Sequence, residues 1–367
     1  MRFLSLAHAQ IQKLNMKNSN PMLPLKVLKK SASCSNLLST CLKCTKDIAQ
    51  PHSPAVFQAS CHEAADHPVG PLNVLSAYWK HRFETEGVSQ PMESIEHIIA
   101  HVIKDKEAKQ RETLDDMQLE KLKLLCNRRL SKMPLEYCTE ESDFRDTKLK
   151  LSAPIFIPER QTEILVDLLL KHVDRSCSKI CNVLEIGCGA GAISLSLLRS
   201  CKCNSVQVVA IDTNKIACQL TLHNAKNLGL EDCLTILHAT LESNGEIVCT
   251  SNLSNDRVFD LQEETFDFIV SNPPCVPTSE LPKWQKEYED YQARNGGKDG
   301  LRVVRPLLMY ASKRLKNEGI LLMEVLPKQT EQIRSLTEKQ YPSILKFDHV
   351  YKDLSNDERV VEISKIG

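Results

Sequence analysis

The sequence predicts an α/β fold, a parallel sheet of Rossmann type preceded by a small α-helical domain, and three observations predict it. After Pro154, short β-rich runs alternate with helical ones, the signature of βαβ units. One of those runs, Val183-Leu184-Glu185-Ile186, enters the glycine-rich turn Gly187-Cys188-Gly189-Ala190-Gly191 and then a helix. Between Pro71 and Cys138 only Gly87 interrupts a stretch whose apolar residues recur at helical spacing.

Taken in order, residues 1–65 read as a leader. The first sixty residues hold eight Lys or Arg and a single acid, Asp47, with many Ser, Asn and Cys. Such a composition suits a mitochondrial transit segment, although the lone Arg2 also fits a disordered basic tail. Residues 70–140 should form several short helices, one presenting Ile95, Ile98, Ile99, Val102 and Ile103 on one face, another Leu119, Leu122, Leu125 and Leu130. Residues 141–160 are expected to form a linker or β-hairpin, with Leu149–Pro158 extended. Residues 161–367 carry the sheet. Its strands are expected at Asn182–Ile186, Gln207–Ile211, Leu234–His238, Phe266–Ser271, Gly319–Val325 and Arg359–Ile363, and its helices at Glu163–Val173, Ala192–Ser200, Lys215–Leu228, Leu301–Leu315 and Gln329–Leu336. The polar segment Glu242–Glu264 reads as a surface insertion.

Composition narrows the function classes. Lys+Arg and Asp+Glu both number 47, so no global basic field favours sequence-independent binding to nucleic-acid phosphates. No run reaches the roughly 18 apolar residues of a membrane span. The fifteen cysteines are odd in number and scattered, which points to free thiols in a reducing compartment rather than a disulfide framework. His97 and His101 lie one helical turn apart, but no third ligand accompanies them, and Cys41 and Cys44 lack a partner pair, so no metal site is expected.

The strand-to-helix turn is a candidate nucleoside site. Glycines belong where the backbone turns sharply and must approach a ligand closely. Asp212 ends the next strand, where a carboxylate accepts both hydroxyls of a ribose. Glu185, inside the strand end, is placed to meet the amino group of a methionine moiety, as in S-adenosylmethionine. Gly187, Gly189 and Ala192 also satisfy the looser dinucleotide pattern G-x-G-x-x-G/A, so an NAD-type oxidoreductase stays open at this point.

A second motif lies at the end of the run Asp267-Phe268-Ile269-Val270-Ser271, in Asn272-Pro273-Pro274-Cys275. Two successive prolines cannot continue a central strand, so they make a rigid loop beyond its carboxyl end. The amide oxygen of Asn272 and the carbonyl of Pro273 suit the two N–H groups of an amide or aromatic amine, a poor nucleophile whose lone pair must be aimed. Catalysis there is chiefly proximity and orientation, with no strong base.

Together, Glu185-Ile186-Gly187-Cys188-Gly189-Ala190-Gly191 and Asn272-Pro273-Pro274 resemble the N5-glutamine methyltransferases of the HemK/PrmC type, mitochondrial branch. Phe156-Ile157-Pro158 with Thr162-Glu163, Asn295-Gly296-Gly297-Lys298-Asp299-Gly300-Leu301, Gly319 to Val325 and Asp353-Leu354 extend the resemblance over roughly Leu75 to Ile363. It implies a class I S-adenosylmethionine-dependent methyltransferase fold whose helical domain grips a protein substrate, a peptide-chain release factor methylated on the glutamine of its Gly-Gly-Gln loop. It further implies a monomer in the mitochondrial matrix, without membrane or stable nucleic-acid binding. By the same resemblance the donor is held by Glu185, Gly187, Cys188, Gly189, Gly191, Asp212, Thr240 and Asn272. Asn272 and Pro273 are the catalytic pair, and Pro274 and Cys275 bind the substrate. Cys275 stands where the family usually has Tyr, which removes roughly 1–3 kcal/mol of possible substrate contact. Thr240 stands where many members have an Asp that accepts from the adenine amino group, and Glu159-Arg160-Gln161 replaces Arg-Pro-Glu. Two alternatives follow: a weakened relative kept as a binding module, and adenine methylation in nucleic acid, which the neutral charge disfavours.

Overall fold

Both faces of the central sheet strands are apolar, so each of these strands must be covered on two sides, and the rest of the chain is arranged to do that. The computed structural model describes residues 70–103, 113–175, 180–201, 206–254, 260–284 and 288–367. The leader expected at residues 1–65 lies outside the described residues. Asp66–Gly367 form one compact unit.

The helical part comprises α1 (Leu72–Thr85), α2 (Pro91–Val102), α3 (Asp116–Leu130) and α4 (Leu135–Thr139). A capping box starts α3: the Asp115 side chain accepts from Gln118 N and the Gln118 side chain accepts from Asp115 N. Ile95, Ile98, Val102, Leu119, Leu122 and Leu125 are buried with Trp79 and Phe83 in one apolar cluster. Ile99 and Leu130 pack against it partly exposed. The expected helical faces are therefore the packing faces. Arg129 is buried among them, and its guanidinium donates to Ser89, Ser94 and the Met133 carbonyl, which ties α3 to the turn before α2.

A β-hairpin follows, β1 (Glu141–Phe144) with β2 (Thr147–Lys150). It falls within residues 141–160, expected as a linker or β-hairpin, and the extended Leu149–Pro158 segment begins inside β2. Polar and charged residues in β1 and β2 hide the strand pattern. Asn224 pins the hairpin from within the fold, accepting from Lys150 N and donating to the carbonyls of Lys150 and Ala190.

The sheet part runs α5 (Glu163–Arg175), β3 (Cys181–Ile186), α6 (Ala192–Ser200), β4 (Val206–Asp212), α7 (Lys215–Leu228), β5 (Leu234–Leu241), β6 (Ile247–Asn252) and β7 (Phe266–Ser271). It continues with α8 (Leu281–Trp284), α9 (Val304–Arg314), β8 (Leu315–Glu324), α10 (Thr330–Gln340), β9 (Leu345–Lys352) and β10 (Glu358–Lys365). Strand order is β6-β5-β4-β3-β7-β8-β10-β9. The five strands β5, β4, β3, β7 and β8 are parallel, and β6, β10 and β9 join antiparallel. The expected parallel sheet of βαβ units thus forms the centre, with antiparallel strands at both edges. Alternate residues feed two cores: Val183, Val208, Ala210, Phe268 and Val270 face α5, α6 and α7. Leu184, Val209, Ile211 and Ile269 face α9 and α10.

Two strands escaped the sequence reading. The segment Glu242–Glu264, expected as an insertion, contains β6, whose polar composition fits an edge strand with most side chains outside the core. The other edge strand, β9, buries only Leu345 and Phe347. Among the described residues no helix is long and apolar enough to cross a membrane.

Chain order reverses direction between β3 and β7: β3, β4 and β5 progress one way, β7 and β8 the other. A sheet of this kind opens a crevice at the carboxyl ends of the two strands flanking that point.

Candidate active site

Ile186 pairs with Ser271 at the ends of β3 and β7, and the Ser271 hydroxyl donates to the Ile186 carbonyl at 2.7 Å. Adjacent strand ends put the two motifs side by side. A cleft of about 400 Å³ opens there, a volume within the range of small-molecule sites. Glu185, Gly187, Cys188, Gly189, Asp212, Thr240, Asn272, Pro273, Pro274 and Cys275 all line it.

Gly191 does not. It caps the start of α6 at φ +85°, and a Cβ there would come within 2.9 Å of Leu195 and Thr221. Helix packing by itself demands a glycine there. At Gly187 and Gly189 the reverse holds: both have positive φ, and a Cβ would meet nothing within 4 Å. Their missing side chains leave open the space that a bound nucleoside would fill.

The donor loop is held by β4. Gly187 N and Cys188 N donate to the Ile211 carbonyl, and Gly189 N donates to Asp212 Oδ2 at 2.9 Å. Asp212 Oδ1 accepts from Asn214 N at 2.8 Å. An ionised carboxylate offers about four acceptor positions, so two remain for ribose hydroxyls. Burial pushes the Asp212 pKa up, and the two backbone N–H groups offset part of that. Glu185 is fully buried; its Oε2 accepts from Ser194 N at 3.1 Å and from the Ser194 hydroxyl in the first turn of α6. Desolvation raises its pKa to about 8 despite those bonds. An ammonium group of the donor would supply the missing positive charge.

On the acceptor side, Asn272 Nδ2 donates to Thr162 Oγ1 at 3.1 Å. Thr162 ends a turn of 3-10 helix, Arg160–Thr162, that leads into α5. The loop itself is fixed by Gln329, whose Nε2 donates to the carbonyls of Cys275 at 2.8 Å and Gly300 at 3.1 Å. Any Cβ on Gly300 would collide with Gln329 and with the Cys275 carbonyl. This explains the glycines at Asn295 to Gly300: that segment bridges to Val276 and packs directly against the Asn-Pro-Pro loop. Burial pushes the Cys275 thiol up to about 12, so it is neutral and unsuited to nucleophilic work.

Several lining residues had no role in the sequence reading. Arg294 bridges Glu159 at 2.8 Å and Glu289 at 2.7 Å while its guanidinium lies 4.6 Å from the centre of the Phe156 ring. Glu324 ends β8 within the cleft lining and is 4% exposed. A carboxylate closing the apolar run Gly319-Ile320-Leu321-Leu322-Met323 was the available signal for it.

The family described as "Methyltransferase small domain" matches residues 159–283, a stretch that includes both the donor turn and the Asn-Pro-Pro loop. Over 307 residues the chain is 33% identical to a human protein named MTRF1L release factor glutamine methyltransferase, covering 80% of this chain and 87% of that one. This chain belongs to the release factor glutamine methyltransferase family. A Clostridium acetobutylicum protein named release factor glutamine methyltransferase is 30% identical over 240 residues, 64% of this chain and 76% of its own. A Rickettsia typhi protein named bifunctional methyltransferase is 28% identical over 292 residues, of which the match spans 74% of this chain but 52% of that protein. As a family member this methyltransferase uses S-adenosylmethionine, and the open cradle at Gly187 and Gly189 fits that donor. The dinucleotide alternative is thereby set aside.

Proposed function

We propose that this methyltransferase transfers the methyl group of S-adenosylmethionine to the side-chain amide nitrogen of the glutamine in the Gly-Gly-Gln motif of a peptide-chain release factor. The reading is carried by the pairing of Ile186 with Ser271, which brings the donor turn and Asn272-Pro273-Pro274 to one crevice.

Bound in the cleft, the sulfonium supplies an activated methyl carbon. The chain supplies orientation. Glu185 receives the donor's amino group, Asp212 its ribose, and Thr240 borders the adenine side. Asn272 Oδ1 and the Pro273 carbonyl accept the two N–H groups of the glutamine amide, turning its lone pair towards the methyl. Pro274 and Cys275 wall the entry for the side chain. As the C–N bond forms, the C–S bond breaks with its electron pair remaining on sulfur, and the nitrogen loses a proton to water. No strong base is needed, because an N-alkylated, O-neutral amide cation is far more acidic than water. The helical residues 70–140 are the natural grip for the protein substrate, and the basic, acid-poor leader at residues 1–65 favours action in the mitochondrial matrix.

The test is incubation with tritiated donor and a purified release factor, beside the same factor with its loop glutamine changed. Glutamine-dependent label is expected; label retained in the changed factor, or found only in nucleic acid, refutes the assignment. A fluorescent protein fused behind residues 1–65 should enter mitochondria, and diffuse fluorescence would remove the localisation.

A further inference from the structure

The acceptor end of the cleft is ringed by bonds, and Arg294 makes two of the links. Its carbonyl accepts from Val276 N at 3.0 Å, and Gly296 N donates back to the Val276 carbonyl at 2.8 Å. The Arg294 backbone is thus fastened to the residue that follows Asn272-Pro273-Pro274-Cys275. Its side chain joins a different wall of the cleft, residues 156–162. Nη2 donates to Glu159 Oε1 at 2.8 Å, and the guanidinium lies 4.6 Å from the centre of the Phe156 ring. The other carboxylate oxygen of Glu159 accepts from Gln161 Nε2 at 2.6 Å. Next along that wall, Thr162 accepts from Asn272 Nδ2 at 3.1 Å. The circuit closes there: the chain leads from Asn272 to Val276, a backbone bond to Arg294, an ion pair to Glu159, the chain again to Thr162, and an amide bond back to Asn272.

The ion pair is the long-range link in that circuit, and its setting makes it a firm one. Arg294 Nε also donates to Glu289 Oε2 at 2.7 Å, so one guanidinium serves two carboxylates. The Arg294 side chain is 9% exposed and that of Glu289 2%. Charge-assisted bonds from a planar fork fix direction as well as distance. Without the cation, Glu159 and Glu289 would confront each other as like charges where water screens them poorly, and the segments that carry them would part. A guanidinium keeps its protons at neutral pH, so Arg294 cannot act as a base. Its contribution is geometric.

We propose that Arg294 is a positioning residue for the methyl transfer: by tying the Asn272-Pro273-Pro274-Cys275 loop to the wall at residues 156–162, it sets the width of the acceptor opening and holds Thr162 where the Asn272 amide donates to it. Asn272 Oδ1 is then left for the substrate nitrogen. The inference rests on the transfer reaction proposed above. What matters is a cation between the two walls, whichever wall supplies it. With Arg at position 159 and Leu at position 294, a guanidinium would meet Glu289 from the other side and close the circuit again.

The experiment compares Arg294→Leu, Glu159→Ala and the double variant Glu159→Arg with Arg294→Leu, each in the full chain. It measures kcat on the release factor, donor Kd, and proton exchange at the Asn272 side-chain NH2 by 1H–15N spectroscopy, that signal being identified by its loss in Asn272→Ala. Both single variants should lower kcat about 10- to 100-fold with donor Kd unchanged within about twofold, the size expected of lost orientation. Their Asn272 NH2 should exchange faster. The double variant should recover kcat to within about fivefold of wild type, as coupled neighbours do when their interaction is rebuilt, and slow the exchange again. Glu159→Ala keeps Arg294 on Glu289, so it tests the link between the walls even where Arg294→Leu fails to fold. Wild-type kcat and slow exchange in a folded single variant would overturn the proposal, as would a double variant no better than Arg294→Leu, or parallel loss of kcat and donor affinity. Should the wild-type chain methylate no release factor, the proposed substrate fails, while amide exchange still decides the role of Arg294.

Discussion

In the proposed function Glu185 receives the donor's amino group, which would make donor binding a proton-linked event. The residue is 1% exposed, and burial sets its pKa at about 8 before a ligand arrives. An ammonium group against it favours the ionised form, so its pKa falls on binding and a proton leaves. At pH 7 only about a tenth of the free enzyme carries the ionised carboxylate, and donor affinity should therefore be roughly tenfold, or about 1.4 kcal/mol, below its full value. The sign is fixed: affinity rises with pH towards about 8, and falls above it as the donor's own amino group, of ordinary pKa near 8, loses its proton. Calorimetry in two buffers of different ionisation enthalpy counts the protons, and most of one proton should be released per donor at pH 7. Glu185→Gln should remove both the release and the rise. The same burial acts on stability. Because the folded pKa lies above the unfolded one, the ligand-free wild type loses stability as pH rises from about 4 to about 8, so Glu185→Gln should melt at higher temperature than wild type at pH 8 while binding donor worse. A wild-type affinity flat between pH 6 and 8, with no proton release, would refute this placement of Glu185.

Other outcomes follow from the same geometry. Asn272→Ala should cut transfer by at least about 100-fold and leave donor affinity nearly unchanged, as read by kcat and by equilibrium binding; equal loss of both would contradict its role. Gly191→Ala forces a Cβ within 2.9 Å of Leu195 and Thr221 at φ +85°, and should destabilise by about 1–3 kcal/mol in denaturant melts. Gly187→Ala meets no neighbour but sits at φ +85°, so it should cost some stability through backbone strain and, beyond that, donor affinity. Gly300→Ala collides with Gln329 and the Cys275 carbonyl, and should lower kcat far more than it weakens donor binding.

Much of this molecule was legible in its order of residues. The turn at Gly187 to Gly191 sits between a strand and helix α6 that begins at Ala192, as its spacing required, and α7 spans Lys215–Leu228 as expected. Such elements announce themselves because local chemistry decides them: apolar runs buried on two sides, glycine where φ must be positive, proline where a strand must stop. Edges were harder. The strand β6 has a burial pattern with only its first residue inside, so no hydrophobic period marks it, and its partner β5 alone makes it a strand. The hairpin of β1 and β2 is likewise polar, and Asn224, more than seventy positions downstream, holds it in place.

The candidate site divides the same way. Residue types and spacing determined that a nucleoside turn and an Asn-Pro-Pro loop exist, because each motif is a continuous segment with its own backbone demands. Only tertiary structure decided that Gly191 packs against Leu195 and Thr221, that Thr162 accepts from the Asn272 amide, and that Gln329 bonds the Cys275 carbonyl. Those relations join segments that are remote in sequence, and a hydrogen bond between remote segments depends on strand order and register, which no local pattern encodes.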